Sequence, residues 1–202
     1  IQSTKNPNNA YWPYCIGVMH EHNEEYDKAI PFYEEAHRKD ADDMNLRRIA
    51  QCYYEIGDYE NALAHINQAI ELDSTKAQYI PFKANVYYEM GNPKQAIAEW
   101  DKHQALYPEY GFGYYRRGWF KSLSGDDEGA IEDFTLAITL DPEYSYSYVS
   151  RGDVYSRQGK EELAKADFTK VIEIEDSPEK YECLHYAYQG LGETEKAIAA
   201  ID

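Results

Sequence analysis

The chain lacks the features that mark nucleic-acid-binding and membrane proteins. Of its 202 residues, 37 are Asp or Glu and 20 are Lys or Arg, which gives a formal net charge of −17. No stretch gathers the roughly four to eight basic residues of a polybasic recognition segment, so we expect neither nucleic acid nor a lipid surface as a partner. Apolar runs are short and interrupted by charged residues, so the sequence predicts no insertion into a membrane.

Cysteine is also scarce. Cys15, Cys52 and Cys183 are the three in the chain, and none forms a CxxC pair. Three cysteines cannot close a disulfide framework, so we expect semi-buried thiols in a reducing or thiol-tolerant compartment. The chain begins at Ile1 and not at Met, which is compatible with removal of an upstream targeting segment. The sequence therefore leaves localisation open.

Motifs for catalysis, cofactor binding and metal binding are missing as well. There is no GxSxG, no GxxxxGK and no GxGxxG after a strand, so we expect no enzyme activity and no cofactor. His20-Glu21-His22 resembles a metal cluster, but two His at i and i+2 point to different sides of a helix. The sequence therefore predicts no metal site.

What the chain has in excess is tyrosine, with 21 copies, and it also has an internal repeat. Six alanines recur at spacings of 33, 34, 34, 34 and 33 residues, namely Ala29, Ala62, Ala96, Ala130, Ala164 and Ala197. A glycine lies five residues before each of the last five alanines, whereas the first repeat has Glu24 there. A period of this length is typical of helical repeat arrays.

Each repeat is predicted to contain two helices. In the first helix, apolar residues such as Ile49, Tyr53 and Ile56 follow a helical period, and the glycine suits a left-handed C-terminal cap. An acidic start, as at Asp126, then opens a second helix with an apolar stripe. Leu140-Asp141-Pro142 closes a repeat, because proline ends a helix before itself.

These residues resemble the tetratricopeptide repeat family, whose 34-residue unit has small residues at positions 8, 20 and 27, glycine at 15 and aromatics at 11 and 24. The resemblance implies an all-α, right-handed α-solenoid of antiparallel helix pairs. We expect an N-terminal tail over 1–9 and a repeat domain over 10–202. The repeats would span about 10–43, 43–76, 77–110, 111–144, 145–177 and an incomplete 178–202.

In this family the first helices line a concave groove, and the resemblance places groove-facing side chains at positions 2, 5, 9 and 12. A solvent-facing helix position has no packing reason to be Trp or Tyr, and aromatic side chains are favoured at binding surfaces. Trp119, with Phe112 and Tyr115, is the strongest candidate for a binding hot spot. The candidate groove residues are Tyr11, Tyr14, Arg47, Tyr54, Asn85, Tyr88, Phe112, Tyr115, Trp119, Tyr146 and Tyr186.

Other positions are predicted to stabilise the scaffold. Position 7 is basic only in the three repeats where position 23 is acidic, which predicts the ion pairs Lys83–Glu99, Arg117–Asp133 and Arg151–Asp167. His103 and His185 occupy positions that are normally small, so we expect altered helix spacing there. Tyr181 lies at a core position. Four other tyrosines fall near turns and the rims of repeats, namely Tyr79, Tyr107, Tyr110 and Tyr144.

The sequence favours a non-enzymatic protein-interaction scaffold that binds a peptide or a partner helix in the groove. No three consecutive repeats match the carboxylate clamp of the chaperone-binding members, so recognition of a chaperone tail is not expected. Two alternatives stay open. The Tyr- and Trp-rich groove would also suit a glycan or a small ligand, and the incomplete sixth repeat would suit self-association.

Overall fold

The computed structural model describes residues 9–73, 78–174 and 180–200, which form twelve α-helices and no β-strand. Consecutive helices pack against each other through most of the described chain, so the all-α helical-repeat solenoid class is confirmed. The helices are α1 (Tyr11–His22), α2 (Tyr26–Lys39), α3 (Asp43–Glu55), α4 (Tyr59–Leu72), α5 (Tyr79–Glu89), α6 (Pro93–Leu106), α7 (Gly111–Leu123), α8 (Asp127–Leu140), α9 (Ser145–Arg157), α10 (Glu161–Glu173), α11 (Lys180–Gly190) and α12 (Thr194–Ala199).

The chain divides into two compact units, Ile1–Glu99 and Trp100–Asp202, with the division inside α6. In the first unit, α2 packs against α1 and α3, and α4 against α3 and α5. In the second unit, α8 packs against α7 and α9, and α10 against α9 and α11. Most of the predicted tail, the start of the third and sixth repeats, and the last two residues lie outside the described residues.

The five predicted glycine caps have the left-handed backbone that their position requires. Their φ angles lie between +70° and +82°, a region that favours glycine because it has no Cβ. Glu24, which replaces glycine in the first repeat, has a φ of +59°. The first repeat therefore keeps the same turn with a residue that is poorly suited to it.

Side chains at the repeat positions form the core, as predicted. Ala29, Tyr33 and Ala36 on α2 are completely buried, and the corresponding Ala62, Ile66 and Ala69 on α4 are too. Three glycines at position 8 give the ring at position 24 room to approach. A Cβ on Gly118, for example, would lie 3.0 Å from the ring of Phe134, so a larger residue there would displace the ring.

The three predicted ion pairs are present. Lys83 Nζ lies 3.3 Å from Glu99 Oε1. Arg117 and Arg151 each donate two hydrogen bonds, of 2.6 to 2.8 Å, to Asp133 and Asp167. The three acidic residues are at most 6% exposed, so the pairs are internal to the scaffold. One contributor was missed: Lys121, at the normally aromatic position 11, lies 2.9 Å from Asp133 Oδ2.

Three placements predicted from the repeat frame are wrong. Tyr181, on α11, is 72% exposed. Tyr79 is completely buried, and its hydroxyl donates to the carboxylate of Asp43. Ile56 is 47% exposed, because it caps α3 and does not lie within the helix.

The bulky histidine at the small position 27 is accommodated by neighbouring residues. His103 is 5% exposed and packs among the rings of Trp100, Tyr107 and Tyr110. The next side chain, Gln104, is also buried and packs against Gly113. A Cβ atom on Gly113 would lie only 1.9 Å from Gln104 Oε1. The absence of a side chain at position 113 therefore leaves room for this part of α6.

Candidate binding surface

The candidate groove residues fall into both units. In the second unit, five aromatic side chains form a continuous cluster that we call the aromatic strip. Its members are Tyr110, Phe112, Tyr115, Tyr144 and Tyr146, with ring centroids 5.0 to 6.2 Å apart along the chain of contacts. These separations and tilted or edge-to-face angles are those that aromatic pairs prefer.

Helix starts position the strip. Phe112 and Tyr115 are three residues apart in the first turn and a half of α7, so they share one face of the helix. Tyr144 and Tyr146 bracket the first residue of α9 in the same way that Tyr110 and Phe112 bracket that of α7. The repeat thus places corresponding side chains beside each other at successive helix starts.

The strip is anchored in the core and open to solvent. The ring of Tyr115 lies 6.1 Å from that of the buried Phe134. At the other side, Tyr110 is 48% exposed and Phe112 is 37% exposed. The strip is therefore a surface that is fixed by the core and has accessible ring area, and it is not part of the closed core.

Hydroxyl groups of the strip are held in their neutral form. Burial, and then the hydrogen bond that Tyr146 donates to Glu182, raises the pKa of Tyr146 above its usual value. Burial likewise raises the pKa of Tyr115. Both hydroxyls therefore stay protonated at neutral pH, and the single proton of Tyr146 is already donated to Glu182.

Sequence reasoning found three members of the strip and missed Tyr110 and Tyr144, which were placed near rims. The signal was present: these tyrosines are 34 residues apart, each one residue before its helix. The frame assigned them to turns because they are the N-caps of α7 and α9. The ring of an N-cap residue can still pack onto the first turn of its helix, and here it does.

Trp119 lies four residues after Tyr115 on α7, and Tyr186 lies on α11 of the same unit. Trp119 is half-buried against the cluster of Ala130, Phe134 and Val154, and the guanidinium of Arg116 lies 5.1 Å from its ring centroid. Tyr186 on α11 is 41% exposed and contacts the ring of His185. No ring contact joins Tyr186 to the strip among the described residues. A binding role for either residue stays a prediction.

In the first unit the candidates form no single cluster. Tyr54 contacts the rings of Tyr59 and Phe82, and Tyr14 contacts the ring of Tyr33. Asn85 and Tyr88 are half-buried on α5. Arg47 and Tyr11 instead line separate cavities beside α3.

The described residues of the first unit include the linings of two open cavities. The larger, which we call the N-terminal cavity, has a volume of about 730 Å³ and is lined by Asn9, Ala10, Tyr11, Tyr14, Lys39, Asp40, Asp42, Met44 and Asn45. The smaller has a volume of about 450 Å³ and is lined by Val18, Glu21, His22, Glu24, Tyr26, Arg47, Arg48, Gln51 and Glu55. In the smaller cavity Arg48 is paired with Glu21 at 2.8 Å, and Glu21 also accepts from Tyr33.

Across residues 9–73, 78–174 and 180–200, no group of three or more His, Cys, Asp or Glu side chains is arranged to hold a metal ion. His20, from the metal-like sequence cluster, instead stacks on Phe32 and lies 2.7 Å from a carboxylate oxygen of Glu25. None of the described helices combines the length and the apolar character needed to span a bilayer.

Family models match most of the repeat region. The model described as anaphase-promoting complex, cyclosome, subunit 3 matches residues 22–103. The model described as tetratricopeptide repeat matches residues 113–144 and 145–178. A comparison with curated proteins gives no match.

Solved structures share the fold at low sequence identity. MamA 41-end from Desulfovibrio magneticus RS-1 is 22% identical, with a TM-score of 0.73 over 85% of this chain and 99% of that chain. A tetratricopeptide repeat protein from Parabacteroides merdae ATCC 43184 is 20% identical, with a TM-score of 0.74 over 98% and 78%. YrrB, described as a TPR protein with an unusual peptide-binding site, is 16% identical, with a TM-score of 0.66 over 97% and 93%.

Proposed function

Because this chain is a tetratricopeptide repeat protein, a family of interaction scaffolds, we propose that it binds a peptide or a helix of a partner protein along its first helices. The contact would centre on the aromatic strip of α7 and α9. The strip offers ring area and hydroxyl donors from a surface that is already ordered, so little conformational entropy is lost on this side of the complex.

The observation that carries the proposal is the exposed part of the strip. The core positions of the fourth repeat are already filled by Ala130, Phe134 and Ala137, so the fold does not require a ring at Phe112. The exposed part of a large apolar side chain does not stabilise the folded chain, because it remains in contact with water. Binding hot spots are typically such rings, surrounded by half-buried neighbours that exclude water.

The relatives support the general class of function. The description of YrrB names a peptide-binding site in that protein, and its fold is shared over nearly the whole chain. The acidic surface of this chain favours a partner segment that carries basic residues, because opposite charges steer the encounter.

The test starts from a displayed library of random peptides selected against the full chain. The affinity of a selected peptide is then measured by calorimetry for the wild type, for Phe112→Ala and for the control Tyr181→Ala. Tyr181 is a more exposed aromatic of the same unit that lies outside the strip. We expect Phe112→Ala to weaken binding by about tenfold or more, with no change for the control. Equal affinities for all three proteins would contradict the proposal.

A further inference from the structure

The N-terminal cavity contains a buried acceptor that none of the described residues satisfies. Asn45, on the first turn of α3, is 4% exposed, and its carboxamide oxygen Oδ1 is buried with no hydrogen-bond partner among the described residues. Buried polar atoms are almost always paired, so an orphan acceptor at a cavity wall marks a place where a donor from a ligand or from water would be stabilised.

Neighbouring groups do not supply that donor. Asp42 Oδ1 already accepts from the backbone N–H of Met44. Lys39, the one cationic side chain among the described residues that line the cavity, lies 2.7 Å from Glu35 in an ion pair. The cavity therefore presents acceptors, and its own cation is engaged with a carboxylate of the same helix.

The charge at the cavity is negative. The carboxylates of Asp40 and Asp42 lie at its rim, and no ion pair is formed by Asp40 in the described part of the chain. With a net charge of −17 for the whole chain, a cation is attracted from a distance as well as at contact. A ligand with several N–H donors and a positive charge matches both the carboxylates and Asn45.

The remaining wall is apolar and aromatic. Tyr11 is 62% exposed, Met44 is 39% exposed and Tyr14 is half-buried. A guanidinium group stacks on aromatic rings and carries five N–H donors in a planar fork, whereas an ammonium group is more strongly hydrated and has three. The cavity volume of about 730 Å³ is within the usual range for ligand sites and leaves room for an arginine side chain with its backbone.

We propose that the N-terminal cavity binds an arginine side chain of the partner segment. The guanidinium donates to Asn45 Oδ1 and to the carboxylates of Asp40 and Asp42, while the side chain lies against Tyr11 and Met44. The inference rests on the proposed function for the source of the arginine. The cavity and the aromatic strip lie in different units, so the two can be tested separately.

The experiment uses small probes and the full chain. N-acetyl-arginine methylamide, the lysine analogue and the neutral isostere citrulline analogue are titrated while NMR follows the methyl signal of Met44 and the side-chain amide of Asn45. We expect millimolar binding of the arginine probe, at least fivefold weaker binding of the lysine probe, and no saturable binding of the citrulline probe. Equal binding of arginine and citrulline probes would overturn the inference, since charge would then not be recognised.

Variants test the two acceptors. Asn45→Leu removes the orphan acceptor and is expected to lower the affinity for the arginine probe at least fivefold. Asn45→Asp keeps the shape and adds a negative charge, so it is expected to raise that affinity. Asp40→Asn is expected to weaken binding, with Asp27→Asn, an exposed carboxylate of α2 outside the cavity, as the matched control. Unchanged affinity for the arginine probe in both Asn45→Leu and Asp40→Asn would refute the site. If Asn45→Leu does not fold, Asp40→Asn alone provides the test.

Failure of this inference and failure of the proposed function give different results. If the arginine probe does not bind but selected peptides still depend on Phe112, the cavity is not the arginine site and the strip remains the binding surface. If the probe binds equally well to the wild type and to Phe112→Ala but no peptide depends on Phe112, the cavity stands and the strip does not.

Discussion

Removal of Arg151 should destabilise the fifth repeat strongly, because it isolates a buried carboxylate. Both oxygens of Asp167 accept from this guanidinium, at 2.7 and 2.8 Å, and Asp167 is 5% exposed. Loss of one partner of a buried pair costs roughly 3–5 kcal/mol. The guanidinium is itself partly exposed, so for Arg151→Met we expect the lower end, about 3 kcal/mol.

A matched variant in the neighbouring repeat sharpens this prediction. Arg117→Met leaves Lys121 Nζ at 2.9 Å from the other buried carboxylate, Asp133, so we expect a loss roughly half as large. The double variant Arg151→Met/Asp167→Leu removes both charges, and we expect its stability to lie within about 1 kcal/mol of the wild type.

Urea unfolding followed by circular dichroism measures these differences. Hydrogen exchange in α9 and α10 locates them, because repeat arrays can unfold in parts. The reasoning is refuted if Arg151→Met is as stable as the wild type, or if the double variant is as unstable as the single one.

Three further predictions concern single positions. Glu24→Gly should stabilise the chain by about 0.5–1 kcal/mol because it relieves a positive φ, whereas Gly57→Ala at the corresponding turn should destabilise it by about 1 kcal/mol; thermal unfolding measures both. Burial raises the pKa of the Cys52 thiol to about 12, so a thiol reagent at about pH 8 should label the half-buried Cys15 first and Cys52 only after unfolding; fast labelling of Cys52 in the folded chain would contradict this. The raised pKa of Tyr146 implies stability that is complete below about pH 10 and is lost as pH rises towards the folded-state value, so Tyr146→Phe should reduce the alkaline loss of stability in urea titrations.

The repeat frame made much of the scaffold predictable. A glycine five residues before each of the last five alanines predicted the left-handed turns, since few other residues adopt that backbone. The basic and acidic residues that vary together at a spacing of 16 predicted the buried ion pairs, because the two helices of a repeat pack in constant register. Both predictions depend on geometry that every repeat shares.

Features that depend on one particular repeat were not predictable in this way. Tyr181 is exposed at a position that is normally in the core, and Tyr79 is buried with its hydroxyl donating to Asp43, one repeat earlier. Similarly, the orphan oxygen of Asn45 results from which neighbours happen to be engaged elsewhere. A repeat pattern describes the contacts that all repeats share, whereas these sites depend on contacts that are particular to one repeat.

Site-specific photocrosslinking tests most directly which surface binds the partner. A benzoylphenylalanine replaces Phe112 in the strip or, as the control, Leu136, an exposed apolar residue of α8 that is 44% accessible. Each protein is irradiated with a peptide selected on the wild type, and the cross-linked residues are located by mass spectrometry. We predict cross-links from position 112 and none from position 136. Cross-links from position 136 with none from position 112 would contradict the central claim.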